Sequence, residues 1–295
     1  MILASSLRIE VVGAGTVGGA TGRALDDWGH DVVFKDIDEE ILEELEDEGR
    51  KTARPDEEID TDLTLIAVPT PYDEEDDEMK TAVVETAFET VSEQDPSVVA
   101  VRSTVPPGTT ERLASEHDIS DYAMVPEFLF ADSARQDLEE MESIVIGTRS
   151  DLARETIKCA FGPQVSTFIE LTPTGAEFLK FGSNIFGATK ISFANEMWRL
   201  VHELRDERVV SSDVDPDQIL SGLRQITPWT GADMAFEGGW PYGGHCLPKD
   251  TRGLRAWAEN NHGVAVPQLS GTIEENELLE TYEKSTEEPE PVLAE

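Results

Sequence analysis

Leu7-Arg8-Ile9-Glu10-Val11-Val12-Gly13-Ala14-Gly15-Thr16-Val17-Gly18 reads as a strand running straight into a glycine-rich turn. A small-residue helix follows from Gly19 to Trp28 and stops at Gly29; a second strand, Asp31-Val32-Val33-Phe34, leads to Asp36. Strand, G-x-G-x-x-G turn, helix, strand and a carboxylate about 20 residues further on together form the dinucleotide-binding fingerprint. Gly13 makes the tight turn, Gly15 lets a pyrophosphate approach the helix N-terminus, and Gly18 lets helix pack closely on strand. Asp36 is placed to accept hydrogen bonds from the adenosine ribose hydroxyls and would repel a 2′-phosphate, which selects NAD over NADP. Gly13, Gly15, Val17, Gly18 and Asp36 are therefore the first cofactor-binding candidates.

The alternation continues outward from this unit. Strands are expected at 63–68, 98–102, 122–125, 143–147 and 165–169, and helices at 78–92, 108–116, 133–139 and 151–161. This is the pattern of an α/β, Rossmann-type doubly wound parallel sheet, whose ligands gather at the carboxyl ends of the strands. Thr70, Thr104 and Glu127 stand just past three of those ends, among prolines that stiffen the loops.

After Leu171 the period changes to that of one long helix over 174–207, with Thr172 or Thr174 as its cap and Glu177 in the capping-box position for Thr174. Shorter helices are expected at 216–225, 251–260 and 271–284, giving an all-helical central domain. The expected organisation is a dinucleotide-binding domain over 1–171, a helical domain over 172–284 and an acidic disordered tail over 285–295. Lys180 and Asn184 lie one turn apart on the long helix, either as a surface lysine with its apolar neighbours or as a functional pair. The stretch Gly238-Gly239-Trp240-Pro241-Tyr242-Gly243-Gly244-His245-Cys246-Leu247-Pro248-Lys249-Asp250 sets a cysteine at the end of a glycine-rich loop, close to a cation. Cys246 there is either an inert thiol or a nucleophile with a lowered pKa.

Composition narrows the setting. Asp and Glu total 62 against 23 Lys and Arg, a formal net charge of -39, with acids in runs at 38–48 and 73–78. Nucleic acid and anionic membrane surfaces are excluded as partners by such a charge. Hydrophobic residues still make up 39% of the chain, enough for real cores. The favoured reading is a protein of a salt-rich cytoplasm, where salt screens the self-repulsion, with a merely acidic protein as the alternative. Cys159 and Cys246 have no paired spacing, which argues for a reducing compartment and against a disulfide framework or zinc site. No metal site, membrane span or signal peptide is expected.

Together these motifs resemble the UDP-glucose/GDP-mannose dehydrogenase family, most closely its UDP-glucose 6-dehydrogenases. The resemblance is carried by Gly13 to Gly18 with Asp36, Val68-Pro69-Thr70-Pro71, Arg102-Ser103-Thr104-Val105-Pro106-Pro107-Gly108 and Pro126-Glu127-Phe128-Leu129. It continues through Ala176-Glu177-Phe178-Leu179-Lys180, Asn184, Ala188-Thr189-Lys190-Ile191-Ser192-Phe193-Ala194-Asn195-Glu196 and Gly243 to Asp250. The resemblance implies a two-step, NAD-dependent oxidation of a nucleotide-sugar C6 alcohol to a carboxylate. Cys246 would be the nucleophile, and Lys180 and Asn184 would stabilise the oxyanion. Asp250 and Thr104 would hold a water, and Glu127 would assist hydrolysis. Thr70, Thr104 and Lys249 would line the cofactor, while Gly243, with Glu127, Lys180 and Asn184, would meet the substrate. A homodimer through the long helix is implied as well.

Val125 stands where the family has Asn, Ala131 where it has a second Glu, and Pro241 where it has Gly. Family members also continue into a further α/β domain that grips the nucleotide, so the resemblance implies a chain that acts either alone or with a separate chain supplying that domain. Two other readings stand beside this one. A two-domain β-hydroxyacid dehydrogenase of the 6-phosphogluconate type shares the architecture but needs no cysteine. A non-catalytic NAD-binding remnant would not be expected to keep these positions.

A charge of -39 makes the first prediction. The melting temperature should rise as KCl goes from dilute to molar, because screening relieves repulsion within the folded state. A thermal scan at a series of KCl concentrations checks this, and a flat or falling trend overturns the salt-rich setting.

Overall fold

The computed structural model describes residues 6–129, 133–206, 211–226, 239–261 and 263–281. Compact packing divides the chain into unit 1, Met1–Ser183, and unit 2, Asn184–Glu295.

Unit 1 runs β1 (Arg8–Val12), α1 (Thr16–Asp27), β2 (Asp31–Lys35), α2 (Glu39–Asp47), β3 (Lys51–Ala53), β4 (Leu63–Ile66), β5 (Tyr72–Asp73) and β6 (Glu78–Met79). It continues through α3 (Ala82–Ser92), β7 (Val99–Val101), α4 (Thr109–Glu116), β8 (Tyr122–Met124), α5 (Ala134–Glu139), β9 (Ser143–Gly147), α6 (Asp151–Phe161) and β10 (Thr167–Leu171). The first turns of α7 (Pro173–Asp206) complete it. Eight strands form one sheet in the order β10-β9-β8-β7-β4-β1-β2-β3. The direction of winding reverses between β1 and β4, which is where a doubly wound sheet opens a crevice for its ligand.

Strand alternation assigns the two cores. Ile9, Val11, Val98 and Ala100 face one side and pack with Leu25 of α1, Leu45 of α2 and Ile157 and Phe161 of α6. Val99 and Val101 face the other and pack with Val84, Phe88 and Val91 of α3, Leu113 of α4 and Ala176 of α7. Glu10 breaks the apolar pattern of β1, and β2 supplies the reason. The Lys35 ammonium lies 2.5 Å from Glu10 and also donates to Gln94 at 3.2 Å and to the Glu57 carbonyl, so a charge buried on each strand is met by its neighbour.

The structure corrects several expectations. The sheet is parallel from β3 to β8, but β9 pairs antiparallel with β8 and β10 follows β9. An antiparallel partner can be entered from the same end of the sheet, so the six-residue α5 suffices where a parallel crossover needs a longer one. The helix expected from residue 78 begins at Ala82, because Glu78–Met79 pairs instead with Tyr72–Asp73 in a small hairpin. The acidic run near residue 40 is helical: Asp38 accepts the Glu40 N–H as N-cap, and Leu45 is buried beneath a charged face. The long helix is capped by Thr172, whose hydroxyl accepts the Gly175 N–H at 3.1 Å, so Thr174 and Glu177 form no capping box.

Unit 2 is helical among the described residues: the remainder of α7, α8 (Pro216–Ile226), α9 (Cys246–Ala256) with a π-helical turn at Trp257–Asn261, and α10 (Pro267–Thr281). The helix expected to start at Thr251 therefore begins five residues earlier, at the cysteine. Ser192 of α7 donates to the Thr272 carbonyl at 3.0 Å, and Arg199 meets both carboxylate oxygens of Glu275, which ties α7 to α10. The tail over 285–295, Ala131 and Gly238 lie outside the described residues. No helix among the described residues is long and apolar enough to cross a membrane.

Candidate active site

The carboxyl ends of β1, β2, β4, β7 and β8 share one edge of the sheet, and the candidates of unit 1 follow them directly. Gly13 adopts φ +90°, and its N–H donates to the Lys35 carbonyl at 2.8 Å. A Cβ at Gly13 would stand 2.6 Å from the Ala67 carbonyl oxygen, and one at Gly18 would stand 1.8 Å from the Gly13 oxygen. No larger residue fits either place without moving backbone. A Cβ at Gly15, by contrast, would meet no protein atom within 4 Å. The N-cap of α1 is Gly15 itself, which has no side chain to cap the helix, and no acid sits in the first turn. That opening, with the helix N-terminus behind it, fits a pyrophosphate. Val17 is half-buried in the same turn. Asp36 accepts the Ala14 N–H at 2.6 Å and the Asp38 N–H at 3.0 Å, which fixes its half-buried carboxylate beside the turn. Further lone pairs remain for ribose hydroxyls.

Two further contacts organise this edge. Thr70 is buried and donates to the Thr104 carbonyl at 2.7 Å, tying the loop after β4 to the loop after β7. Ser103 donates to the Val68 carbonyl at 2.7 Å and reinforces the same link.

Lys180 and Glu127 form a buried ion pair at 2.9 Å, with the Lys180 ammonium 5.5 Å from the centre of the Phe128 ring. A lysine 3% exposed is no surface residue. Burial alone would raise the Glu127 carboxyl, but the Lys180 ammonium, the Leu129 N–H at 2.6 Å and Arg102 outweigh it and hold the group below its ordinary range. Arg102 follows β7, is 2% exposed and donates to Thr21 Oγ1 at 3.0 Å and the Val125 carbonyl at 3.3 Å. Burial pushes its pKa down to about 10, with Glu127 opposing the shift.

Glu177 has a partner that local sequence cannot reveal. It is fully buried, and its two oxygens accept the N–H groups of Gly108 and Thr110 at 2.5 and 2.8 Å, together with the Thr110 hydroxyl. It therefore caps α4, whose own N-cap, Gly108, has no side chain to do so. Burial raises its pKa against these hydrogen bonds. Sequence reasoning gave Glu177 only a capping-box place on its own helix and assigned no separate role to Arg102. Their signal was only their place inside the motifs that begin at Arg102 and Ala176.

In unit 2, Asn184 Nδ2 donates to Asp250 Oδ2, and the Lys249 ammonium donates to Asp250 Oδ1 at 2.5 Å. Asp250 is fully buried and Lys249 is 9% exposed, so the cation expected beside the thiol is engaged by the neighbouring carboxylate. Asn184 and Lys180, expected as a pair, thus have separate acidic partners. Cys246 is reduced, exposed and the first residue of α9, and the N-cap residue His245 makes no side-chain cap there. Gly243 is exposed. Among the described residues, no group of three or more His, Cys, Asp or Glu is arranged to hold a metal ion.

Comparison with known proteins agrees with this division. Residues 50–164 match the NAD binding domain of the UDP-glucose/GDP-mannose dehydrogenase family and residues 174–278 match its central domain. The chain belongs to that family. A UDP-glucose 6-dehydrogenase of Haloferax volcanii is 29% identical over 92% of this chain and 70% of its own length. One of Bacillus subtilis is 29% identical over 94% of this chain and 65% of its own length. The chain thus spans about two thirds of the length of these relatives. The structure of a UDP-glucose dehydrogenase from the hyperthermophilic archaeon Pyrobaculum islandicum superposes with a TM-score of 0.79 at 28% identity, covering 92% of this chain and 68% of that one. As in the rest of the family, the cofactor is NAD.

Removing one member of the buried pair should leave the other charge uncompensated. Lys180→Met should lower unfolding free energy by about 3–5 kcal/mol, and Lys180→Met with Glu127→Gln should recover more than half of that. Because the Glu127 carboxyl is held below its ordinary range, its contribution is present above that range and is lost as pH falls through the lower, folded value. Urea unfolding of the wild type and both variants across mildly acidic pH checks the size and the sign.

Proposed function

We propose that the chain is an NAD-dependent nucleotide-sugar 6-dehydrogenase that converts a C6 alcohol to a carboxylate, with UDP-glucose to UDP-glucuronate as the leading substrate pair. The observation that carries this reading is the exposed, reduced Cys246 at the N-terminus of α9. A thiolate is stabilised at a helix N-terminus, adds readily to a carbonyl and leaves readily afterwards. A β-hydroxyacid dehydrogenase has no use for such a group.

When bound, NAD supplies a hydride acceptor, one molecule for each of two oxidations. In the first, a water held by Asp250 and Thr104 takes the proton of the C6 hydroxyl, and hydride loss leaves an aldehyde. Cys246 Sγ then adds to the aldehyde carbon, forming a C–S bond and an oxyanion. The Lys180 ammonium and the Asn184 amide stabilise that charge. Loss of the second hydride gives a thioester. Water, assisted by Glu127, attacks it, breaks the C–S bond and returns the thiolate with the free acid. Thr70, Thr104 and Lys249 line the cofactor, and Gly243 lets backbone approach the sugar. A thiol with this duty suits a reducing, cytoplasmic setting.

Incubation with UDP-glucose and NAD should yield two NADH per uronate formed. Cys246→Ser should form no acid, because a serine ester hydrolyses far more slowly than a thioester. Lys180→Ala should reduce turnover by about 100- to 1000-fold, the usual effect of losing an oxyanion donor. Full acid formation by Cys246→Ser would overturn the nucleophile assignment.

We also propose that the active form is a homodimer built on α7. Phe178, Phe186 and Phe193 are exposed on that helix at spacings of eight and seven residues, one stripe of a single face. Light scattering should give a dimer for the wild type and a monomer for Phe186→Glu. A dimer in both cases would remove Phe186 from the interface.

A further inference from the structure

Asn195 is fully buried on α7, and its side-chain amide is spent on backbone. Its Oδ1 accepts the Gly239 N–H at 2.9 Å and the Trp240 N–H at 3.3 Å, while Nδ2 donates to the Trp240 carbonyl at 2.7 Å. The amide thus meets both main-chain groups of Trp240, as the peptide of a neighbouring strand would. Gly239 presses close beside it with φ +95°, where a Cβ would stand 3.0 Å from the Trp198 indole. Tyr242 is buried against Ala188 and Ile191, with Trp240 and Leu247 packed around them. Ala188, Ile191, Asn195 and Trp198 recur at three- and four-residue intervals, so one face of α7 receives the whole stem of the loop.

Beyond Tyr242 the chain is differently held. Gly243 and Gly244 are exposed, Gly244 with φ +71°, and neither would bring a Cβ within 4 Å of another group. His245 and Cys246 follow at once. The thiol therefore sits between a stem fastened to α7 and a helix, α9, whose Lys249, Asp250 and Thr251 are buried. Two glycines cannot transmit a fixed direction unless both ends are held.

We propose that Asn195 is a positioning residue for Cys246, fixing the stem of its loop on α7 and so keeping the thiol at the N-terminus of α9. An asparagine is required because it carries an acceptor and a donor on one planar group. Aspartate would keep the first contact and set an oxygen against the Trp240 carbonyl. The inference extends the nucleophile reading to a residue that touches neither substrate nor cofactor, yet its test needs no turnover.

The test alkylates the wild type and Asn195→Asp with iodoacetamide across a range of pH and quantifies both cysteines by mass spectrometry. Cys159 is the internal reference: it is half-buried, and burial, aided by Asp62, holds its thiol above the ordinary value. In Asn195→Asp, Cys246 alkylation at neutral pH should fall about two- to fivefold and its midpoint should move to higher pH, as a thiolate loses the helix end. Cys159 should be unchanged. Asn195→Ser, smaller and uncharged, carries the same expectation if the Asp variant does not fold. A parallel change at both cysteines would mean general loosening, and no change at Cys246 would mean that the stem does not place the thiol; either overturns the proposal. Failure of Cys246→Ser to abolish acid formation would refute the catalytic reading and leave this result standing.

Discussion

Burying a carboxylate obliges the fold to supply it with cations or N–H groups, and α7 carries that obligation to the edge of the sheet. Thr174, Glu177 and Lys180 stand at every third position of its first turns. Glu177 accepts the leading N–H groups of α4, Thr174 meets Glu111, and Lys180 closes on Glu127. The loops after β7 and β8 are therefore located by one helix face, and Thr104 and Glu127 with them. Loss of any of these partners would leave a buried group unpaired, at a cost of about 1–3 kcal/mol for a neutral group and more for a charge.

The same rule, applied to a chain so rich in acid, explains the surface. In unit 1 the cations are distributed among acids rather than clustered: Arg23 with Glu48, Arg50 with Asp26 and Asp27, Lys80 with Asp76 and Glu78, Arg112 with Glu85 and Glu116. Exposed pairs of this kind contribute about 0–1 kcal/mol each. They offset local repulsion without removing it, since acids outnumber bases by 62 to 23. The buried Glu10–Lys35 pair is of another kind. It anchors the end of β2, from which the Lys35 carbonyl holds Gly13 and the Asp36 carboxylate accepts the Ala14 N–H.

Unit 2 sets neutral amides beside its ion pairs. Asn184 serves Asp250, and Asn195 serves the backbone of Gly239 and Trp240. An amide can satisfy a donor and an acceptor together without the desolvation cost of an ion. Such groups suit a glycine-rich segment that is held at its stem while Gly243 and Gly244 stay exposed.

The sequence by itself determined the fingerprint turn, the positions of β1, β2, β4, β7 and β8, the long helix and the polar residues at the strand ends. Each of these is a local pattern: a period of two or 3.6, a glycine where no Cβ fits, an acid at a set distance. Only the tertiary structure decided that β9 reverses, that α9 begins at Cys246 and that Lys249 turns to Asp250. Glu177 makes the point most plainly, because its spacing from Thr174 satisfies a capping box and its real partners lie 67 and 69 residues away. Lys180 is the same case, with flanking Phe and Gly residues that read as a surface while Glu127 draws it inside. A side chain's local options are written in its neighbours. Which of them it takes is settled by what packing brings within hydrogen-bond reach once water has been excluded.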